Sequence, residues 1–413
     1  IETPEGPRAL SHSSFGSLME HTDRDVRRRA YTQYYALFEG HKNTLANLYA
    51  GSVNLDTYKS KVRNFKSARG SRLFPDKVPA SVYDNLVKSV NDNLSPLHEY
   101  YEIRKHALKL DELRHFDIRV PLVPELKVTH TYDEAVEVIT AALAPLGEEY
   151  TGTLREGLLG RWVDRYENKG KRSGAFSAGS YTGNPYILMN YKEEVLRDVF
   201  TLAHEGGHSM HSWYSVKNNP FQHYNYTIFE AEVASTFNEQ LLLKHLREQT
   251  NSKEMLTYLI NKQVDDIVGT LYRQTMFAEY EDVCHKMVEA EEALTVDSLR
   301  AEYRKLLEKY FGPAMKLEDV SDLEGMRVPH FYRSFYVYKY ATGISASITL
   351  AERVLSGGAE ELEEYFAFLK SGGSRYPIES LRVAGVDMES PDPVNTALAV
   401  FADQVEALKK QLA

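Results

Sequence analysis

Apolar residues recur at three- and four-residue spacing along most of this chain, which is the pattern of amphipathic helices. The stretch 23–50 carries such a stripe, and Val26, Ala30 and Tyr34 are its first members. The same periodicity predicts further helices, which cover residues 56–70, 80–110, 132–145, 192–213, 229–248, 254–291, 296–311, 344–370 and 394–411. The pattern therefore predicts a mostly α-helical protein.

Strand-like alternation is concentrated in one segment, residues 173–191. Gly, Tyr, Ile and Leu alternate there around the stretch Thr182 to Pro185, whose Gly-Asn-Pro sequence is a turn signal. We expect a small β-sheet at this position, with an exposed edge strand that pairs with an extended peptide through main-chain hydrogen bonds. The alternative is a hairpin that only packs against the core.

Composition and charge narrow the class of partner. The 413 residues carry a net charge of −10, which argues against general nucleic-acid binding. The sequence has no apolar run of membrane-spanning length, so we expect no membrane partner. The single cysteine, Cys284, fits a reducing cytoplasm, and we expect it to be a buried, inert thiol.

The most informative motif is the pentapeptide from His204 to His208, which lies in the predicted helix 192–213. Two histidines four residues apart lie on one face of a helix, so both rings reach one metal ion. Glu205 lies about 100° round the helix from His204, close enough to act on a metal-bound water. The alternative is a pair of satisfied core histidines.

The residues that flank the pentapeptide support a helix. Leu196 and Phe200 continue the histidine face backwards in steps of four, and Glu193 and Glu194 are expected in the first turn. The paired glycines 206 and 207 each cost about 1 kcal/mol in a helix interior. Such a helix needs another backbone close by, or room for a substrate.

A tetrahedral zinc site needs a third protein ligand, and the predicted helix 229–248 offers acidic candidates. Glu232, Ser235, Thr236 and Glu239 form one polar stripe on this otherwise apolar helix. We assign Glu232 as the ligand and the other stripe residues as groups that hold the histidine rings. Glu230 is the competing carboxylate, and we expect it at the surface.

These segments resemble the thimet-oligopeptidase family of zinc peptidases, and specifically its bacterial oligoendopeptidase F branch. The resemblance begins with HEGGHSMH at 204–211 and FEAEVASTFNE at 229–239, and it spans most of residues 110–410. Further matching segments are 169–176, 185–191, 330–343, 370–377 and 384–388.

The resemblance implies a zincin-type helical peptidase, with a small β-sheet beside the HExxH helix and a deep substrate channel between two helical lobes. It implies one zinc ion per chain on His204, His208 and Glu232. We expect an N-terminal helical lobe over residues 1–110 and a catalytic region over 111–413. Since the sequence opens at Ile1 rather than Met, a truncated start would leave the outer channel wall incomplete.

A tyrosine-rich run follows His330, with Tyr332, Tyr336 and Tyr340 at four-residue spacing. This spacing offers neutral donors along one side of the segment. Donors aimed at a tetrahedral oxyanion contribute about 2.7–4 kcal/mol each to an amide hydrolysis. The resemblance implies that His330, with Tyr336 or Tyr340, performs this role.

The predicted function is zinc-dependent hydrolysis of internal bonds in short unstructured peptides, with Glu205 assisting a zinc-bound water. We predict a cytoplasmic enzyme that acts on peptides. Three alternatives remain: a metallocarboxypeptidase of related helical fold, a non-catalytic helical metal-binding protein, and a hydrolase of small amides.

Overall fold

The computed structural model describes residues 1–123, 126 and 128–412, and these residues are mainly helical, as predicted. The first eight helices are α1 (His12–Met19), α2 (Arg24–Val62), α3 (Ala68–Leu73), α4 (Ala80–Asp92), α5 (Ser95–Ala107), α6 (Tyr132–Ala142), α7 (Gly147–Leu159) and α8 (Leu196–Asn218). The other eight are α9 (Ile228–Gln249), α10 (Lys253–Ile267), α11 (Arg273–Glu289), α12 (Val296–Phe311), α13 (Tyr338–Ser356), α14 (Ala359–Ser371), α15 (Pro377–Val383) and α16 (Asp392–Leu412).

Short strands form three small sheets in the described residues. The strands are β1 (Glu2–Thr3), β2 (Gly6–Pro7), β3 (Leu113–Arg114), β4 (Val163–Asp164), β5 (Phe176–Ala178), β6 (Tyr186–Leu188) and β7 (Met315–Lys316). The three-stranded sheet has the order β4-β6-β5. Strand β5 runs antiparallel to β6, with Ser177 opposite Ile187, so the small β-sheet predicted in residues 173–191 is confirmed.

Helix α8 packs against α9, to which it is joined by the connection through residues 219–227, and α13 also packs against α9. Helix α8 begins at Leu196 and ends at Asn218, so it starts later and ends later than predicted. Glu193 and Glu194 therefore precede the helix, and the prediction that they occupy its first turn is wrong. Asp198 is the acidic residue of that turn.

Several predicted helix boundaries are wrong, for identifiable physical reasons. Helix α2 runs unbroken to Val62, because the stretch after residue 50 contains no proline and the helix tolerates its one glycine, Gly51. The predicted helix 80–110 divides before Ser95, where Pro96 occupies the start of α5 and removes a backbone donor. The predicted helix 344–370 begins earlier, at Tyr338, and divides at Gly357 and Gly358. Helices α1, α7 and α15 were not predicted.

One continuous cluster of buried apolar side chains includes residues from both sides of position 110. Cys284 lies fully buried within this cluster, as predicted. Across the described residues, no helix has the combination of length and apolar character that crossing a membrane requires.

Gly207 explains why α8 accepts two adjacent glycines. A Cβ added at Gly207 would lie 2.5 Å from the carbonyl oxygen of Ala234 and 2.6 Å from the Cα of Ser235. These contacts are with the backbone of α9, so the expected close approach of a second backbone is confirmed. At Gly206 the nearest atom is the side-chain Cδ1 of Leu154, at 3.2 Å.

Gly207→Ala is expected to destabilise the protein by about 1–3 kcal/mol, because the added methyl group forces α8 and α9 apart. Gly206→Ala is the matched control, since the flexible Leu154 side chain can move and alanine favours the helix by about 1 kcal/mol. Urea unfolding midpoints of the two variants provide the measurement. Equal stability of both variants would contradict the close approach.

Candidate metal centre and active site

Three potential ligand atoms converge where α8 faces α9. Nε2 of His204 lies 3.4 Å from Oε2 of Glu232, and Nε2 of His208 lies 3.7 Å from the same oxygen. The ligand atoms of the three side chains all lie within 4.8 Å of one another. A tetrahedral ion with bonds of about 2.0–2.2 Å holds neighbouring ligand atoms about 3.3–3.6 Å apart. The three side chains therefore fit a single tetrahedral metal ion.

The Nδ1 side of the His204 ring contacts a chain of charged side chains. Its Nδ1 lies 2.6 Å from Oε1 of Glu239, so Nδ1–H donates to the carboxylate and Nε2 faces the other ligands. Oε2 of Glu239 lies 3.6 Å from Nζ of Lys262 on α10, which also pairs with Asp266 at 2.6 Å. Such partners fix the tautomer and orientation of a ligating histidine.

The two hydroxyl groups of the polar stripe do not contact the histidine rings. Ser235 and Thr236 donate instead to the backbone carbonyl of Glu232, at 3.0 and 2.5 Å. The expectation that they hold the rings is therefore wrong, because a helical Ser or Thr reaches the carbonyl of the preceding turn more easily. Apart from Glu232, the candidate ligand, Glu239 is the stripe residue that contacts a histidine ring.

Charges at this site favour a bound cation. Burial lowers the pKa of His204, but hydrogen bonds with Glu232 and Glu239 more than compensate and raise it to about 10. Burial and the neighbouring His204 lower the pKa of His208 to about 4. Burial opposes ionisation of both carboxylates, yet their contacts with His204 lower the pKa of each. A metal dication can replace the proton that His204 holds between these carboxylates.

Glu205 is buried on the neighbouring face of α8, and only 6% of its surface is exposed. Burial raises the pKa of its carboxyl to about 7, with His204 opposing the shift and Glu232 adding to it. The backbone N–H of Ser177 donates to this carboxyl, whereas Oε2 is buried without a hydrogen-bond partner. A free buried oxygen of this kind requires a partner such as a water or a substrate N–H.

The three-stranded sheet lies across the HExxH helix. Oγ of Ser177 on β5 lies 2.8 Å from Oγ of Ser209 on α8. A Cβ at Gly179 would lie 2.6 Å from the Cβ of Ser212, so only glycine permits this approach. In the described part of the chain, β5 pairs with β6 alone, and its second edge is open.

The rings of His330, Tyr336 and Tyr340 form one cluster. The ring centroid of His330 lies 5.9 Å from that of Tyr336 and 6.1 Å from that of Tyr340, and the two tyrosine rings are 5.4 Å apart. Tyr340 also lines a cavity of about 200 Å³ that borders His204 and Glu232. The candidate oxyanion donors and the candidate metal ligands therefore share one region of the molecule.

Tyr332 does not continue the predicted stripe of donors. It is exposed, and its ring lies 6.1 Å from that of Tyr49. The four-residue spacing fails because α13 begins only at Tyr338, and Phe335 has a positive φ of 55°. Tyr338 is buried against Tyr83 and away from the cluster.

The turn at Phe335 is held by two buried carboxylates. The backbone N–H of Phe335 donates to Oε1 of Glu281 at 3.0 Å, and Ser334 donates to Asp56 of α2 at 2.6 Å. A bulky residue at positive φ costs about 1–3 kcal/mol and persists only where its surroundings fix it. This turn sets the direction of Tyr336.

The competing carboxylate, Glu230, is fully buried, so the prediction that it lies at the surface is wrong. Its Oε2 accepts from the hydroxyl of Thr227 at 3.1 Å and from the Thr227 backbone N–H at 3.3 Å. Thr227 is the N-cap of α9, and the two residues form a capping box. Glu230 therefore caps the N-terminus of α9, and this structural role explains an acidic residue at this position.

Sequence reasoning did not identify Lys262, Ser177 or Glu281 as parts of this region. Each acts from a separate element, and each does so through a contact between segments distant in sequence. The free edge of β5 was a local signal for Ser177. The pattern around Lys262 and Glu281 gives no such signal, because both lie in ordinary amphipathic helices.

The helical fold, the HExxH helix and the acidic helix beside it define the class of helical metallopeptidases. A model of peptidase family M3 matches residues 17–400. The chain belongs to peptidase family M3, and this confirms the predicted class, an oligopeptide-cleaving metalloendopeptidase.

Individual relatives agree with the family. The chain is 45% identical over 402 residues to an oligoendopeptidase F homolog of Borreliella burgdorferi. This match covers 97% of the present chain and 68% of the relative. It is 44% identical to oligopeptidase PepF of Bacillus subtilis, with 98% and 60% covered. The crystal structure of oligoendopeptidase-F from Enterococcus faecium superimposes with a TM-score of 0.83 at 35% identity, over 100% of this chain and 68% of that one. The chain thus spans roughly two thirds of the length of these relatives.

Proposed function

We propose that this chain is a zinc endopeptidase that hydrolyses internal bonds of short unstructured peptides. The observation that carries the proposal is the triangle of His204, His208 and Glu232 beside the unpartnered Oε2 of Glu205. Two imidazoles and one carboxylate suit zinc, and a three-ligand set leaves the fourth position open for chemistry. Bound zinc would polarise the scissile carbonyl and lower the pKa of a water ligand toward 7.

We assign the proton transfers to Glu205. Its buried Oε2 is free to accept the proton of the attacking water, and Glu205 then passes that proton to the leaving amine. The Ser177 N–H donates to the same carboxyl, which fixes its orientation on the side facing β5. A pKa near neutral, produced mainly by burial, suits a group that both takes and gives a proton.

We assign the oxyanion donors to His330 with Tyr336 or Tyr340. Tyr340 is the better supported tyrosine, because it lines the cavity that borders the metal ligands. Burial is the main cause that raises the pKa of Tyr340, and a hydrogen bond between Tyr336 and Tyr340 raises this pKa further. The Tyr340 hydroxyl therefore remains a neutral donor at physiological pH.

The open edge of β5 is the proposed binding surface for the substrate main chain. An extended peptide that pairs with β5 passes directly over α8, because Ser177 contacts both Glu205 and Ser209. Main-chain pairing of this kind holds peptides with many different side chains. Folded proteins do not present an extended free strand, so the preferred substrates are short and unstructured.

We retain two further expectations as proposals. The first is the division into a helical lobe of residues 1–110 and a catalytic region of residues 111–413, with the substrate channel between them. The second is a cytoplasmic location, which the single buried thiol of Cys284 supports.

An internally quenched peptide that is blocked at both ends provides the test of function. Purified protein is expected to carry one zinc per chain by mass spectrometry and to cut this peptide at an internal bond. A metallocarboxypeptidase would not cut it, because it needs a free C-terminal carboxylate. A zinc content of one without any cleavage of peptides would indicate a structural metal site, and cleavage only of small amides would also contradict the proposal.

Tyr336→Phe and Tyr340→Phe are each expected to lower kcat with little change in KM, because the hydroxyl bonds the oxyanion only in the transition state. The larger effect is expected for whichever hydroxyl contacts the oxyanion, up to about 2.7–4 kcal/mol in activation free energy. Steady-state kinetics with the quenched peptide separate kcat from KM.

Tyr338→Phe is the matched control for these variants. Its hydroxyl is buried without a partner, away from the cluster, so its removal breaks no hydrogen bond. Parent-like kcat in both the Tyr336→Phe and Tyr340→Phe variants would leave His330 as the sole donor and overturn the tyrosine assignment.

A further inference from the structure

A small cavity lies between α1, α2 and two turns that contain residues 115–119 and 321–327. The volume of this cavity that the centre of a water-sized sphere can occupy is about 20 Å³, which is enough for one or two small occupants. Its polar wall consists of Tyr31, Tyr35, His115, Arg119, Glu324 and Arg327. None of these residues has a part in the proposed peptidase chemistry.

Positive charge exceeds negative charge around this cavity. Glu324 is almost fully buried and accepts from Arg273 at 2.8 Å, from Arg327 at 3.2 Å and from Tyr303 at 2.9 Å. Arg119 makes no ion pair or hydrogen bond within the described residues and lies near enough to the other two arginines to repel them. The guanidinium groups of Arg273 and Arg327 therefore share one carboxylate, which leaves one buried positive charge in excess, and the exposed Arg119 adds a further positive charge at the wall of the cavity.

The next carboxylate does not offset this charge. Asp117 is fully buried and pairs with Arg24 and Arg27, each at 2.8 Å. That group of three therefore adds a further positive charge beside the cavity. Nη1 of Arg273 and Nε of Arg327 are buried donors without any hydrogen-bond partner.

The protonation of His115 follows from its neighbours. Ser321 Oγ accepts from the backbone N–H of Glu318 at 2.9 Å, and its own proton has one acceptor in reach, the Tyr31 hydroxyl at 3.0 Å. Tyr31 must then donate its proton to Nδ1 of His115, at 2.9 Å. Burial lowers the pKa of His115 to about 4, so the neutral ring carries its one proton on Nε2.

Nε2–H of His115 is therefore another buried donor without an acceptor. The residue is 3% exposed, and its Nε2 has no hydrogen-bond partner. His115 and Arg327 thus both line the cavity, and each carries one buried N–H group, Nε2–H and Nε–H respectively, that has no acceptor. A buried donor that lacks an acceptor destabilises the folded protein, and the cost is greater when the donor is charged.

We propose that this cavity binds one small inorganic anion of the size of chloride. An anion accepts from several donors at once and supplies the missing negative charge, whereas a water would bring two protons of its own. The bound anion would join α2, through Tyr31 and His115, to the segment 321–327. Arg327 lies three residues before His330, so the anion also steadies the approach to the tyrosine cluster.

Thermal unfolding in sodium chloride and in sodium gluconate at equal ionic strength tests the proposal. Chloride is expected to raise the Tm of the protein in a saturable manner, with and without zinc, so the result is independent of peptidase activity. Bromide is expected to substitute, and an anomalous map from a bromide-soaked crystal should show a peak beside Nε2 of His115 and Nε of Arg327.

Arg119→Gln is the variant of choice, because its side chain has no carboxylate partner and its loss leaves no buried charge unpaired. We expect the concentration of chloride for half-maximal stabilisation to rise roughly tenfold or more, as for the loss of one charged hydrogen bond. Arg161→Gln, at an exposed position, is the matched control and should behave as the parent. Equal Tm in both salts, an identical response in Arg119→Gln, or no bromide peak in the cavity would each overturn the proposal.

Discussion

Glu205→Gln is expected to lower kcat by about 10²–10⁴-fold while the protein keeps its fold and one zinc per chain. The swap preserves the size of the side chain and changes no ligand of the triangle formed by His204, His208 and Glu232. The amide accepts no proton from water, however, and it delivers none to the leaving amine. Steady-state kinetics on the quenched peptide, with zinc content by mass spectrometry, provide the measurement.

Glu194→Gln is the matched control, since Glu194 is exposed and precedes the start of α8. It should retain parent-like kcat. If Glu205→Gln retained activity within a few-fold of the parent, the assignment of Glu205 as the proton-transfer group would fail. If it lost zinc as well as activity, the carboxyl would have a role in the metal site that the geometry does not suggest.

Glu232→Ala is expected to weaken zinc binding by about 100-fold or more. Loss of a residue that only hydrogen-bonds to a metal ligand already costs about 10–100-fold in metal affinity, and Glu232 is itself a proposed ligand. The change removes the oxygen that lies 3.4 Å from His204 Nε2 and 3.7 Å from His208 Nε2. It also frees His204 from one of the two carboxylates that surround it. Competition with a chelator of known zinc affinity measures the loss.

Glu230→Ala separates the two neighbouring carboxylates. It removes the capping box of α9 and is expected to lower stability by about 0.5–2 kcal/mol. It should nevertheless retain parent-like zinc affinity, because Glu230 bonds Thr227 and lies outside the ligand triangle. Loss of zinc by Glu230→Ala with retention by Glu232→Ala would show that the wrong carboxylate was assigned.

The parts of this site that sequence predicts are those with a local physical signal. Histidines 204 and 208 share a helix face because of the helical period. The paired glycines indicated a nearby backbone, and a Cβ added at Gly207 would lie only 2.5 Å from a carbonyl oxygen of α9. Glu232 and Glu239 share a polar stripe on an apolar helix, so one could be expected at the ligands and the other behind them. The hairpin signal at residues 173–191 likewise depends on neighbours in sequence.

The parts that sequence does not predict depend on contacts between distant segments. Lys262 reaches Glu239 from α10, and Glu281 reaches the backbone of Phe335 from α11. The positive φ of Phe335 breaks the expected run of tyrosines, and no glycine at that position indicates it. Glu230 was expected at the surface because it is acidic, although its partner Thr227 is a recognisable N-cap residue.

The most direct test of the central claim is X-ray diffraction from crystals grown with zinc, measured on both sides of the zinc absorption edge. The proposed site predicts one strong anomalous peak per chain, at about 2.0–2.2 Å from Nε2 of His204, Nε2 of His208 and an oxygen of Glu232. It also predicts that Glu205 lies beside this peak without ligating it. A peak at another position, or a fourth protein ligand that closes the site, would contradict the proposed peptidase centre.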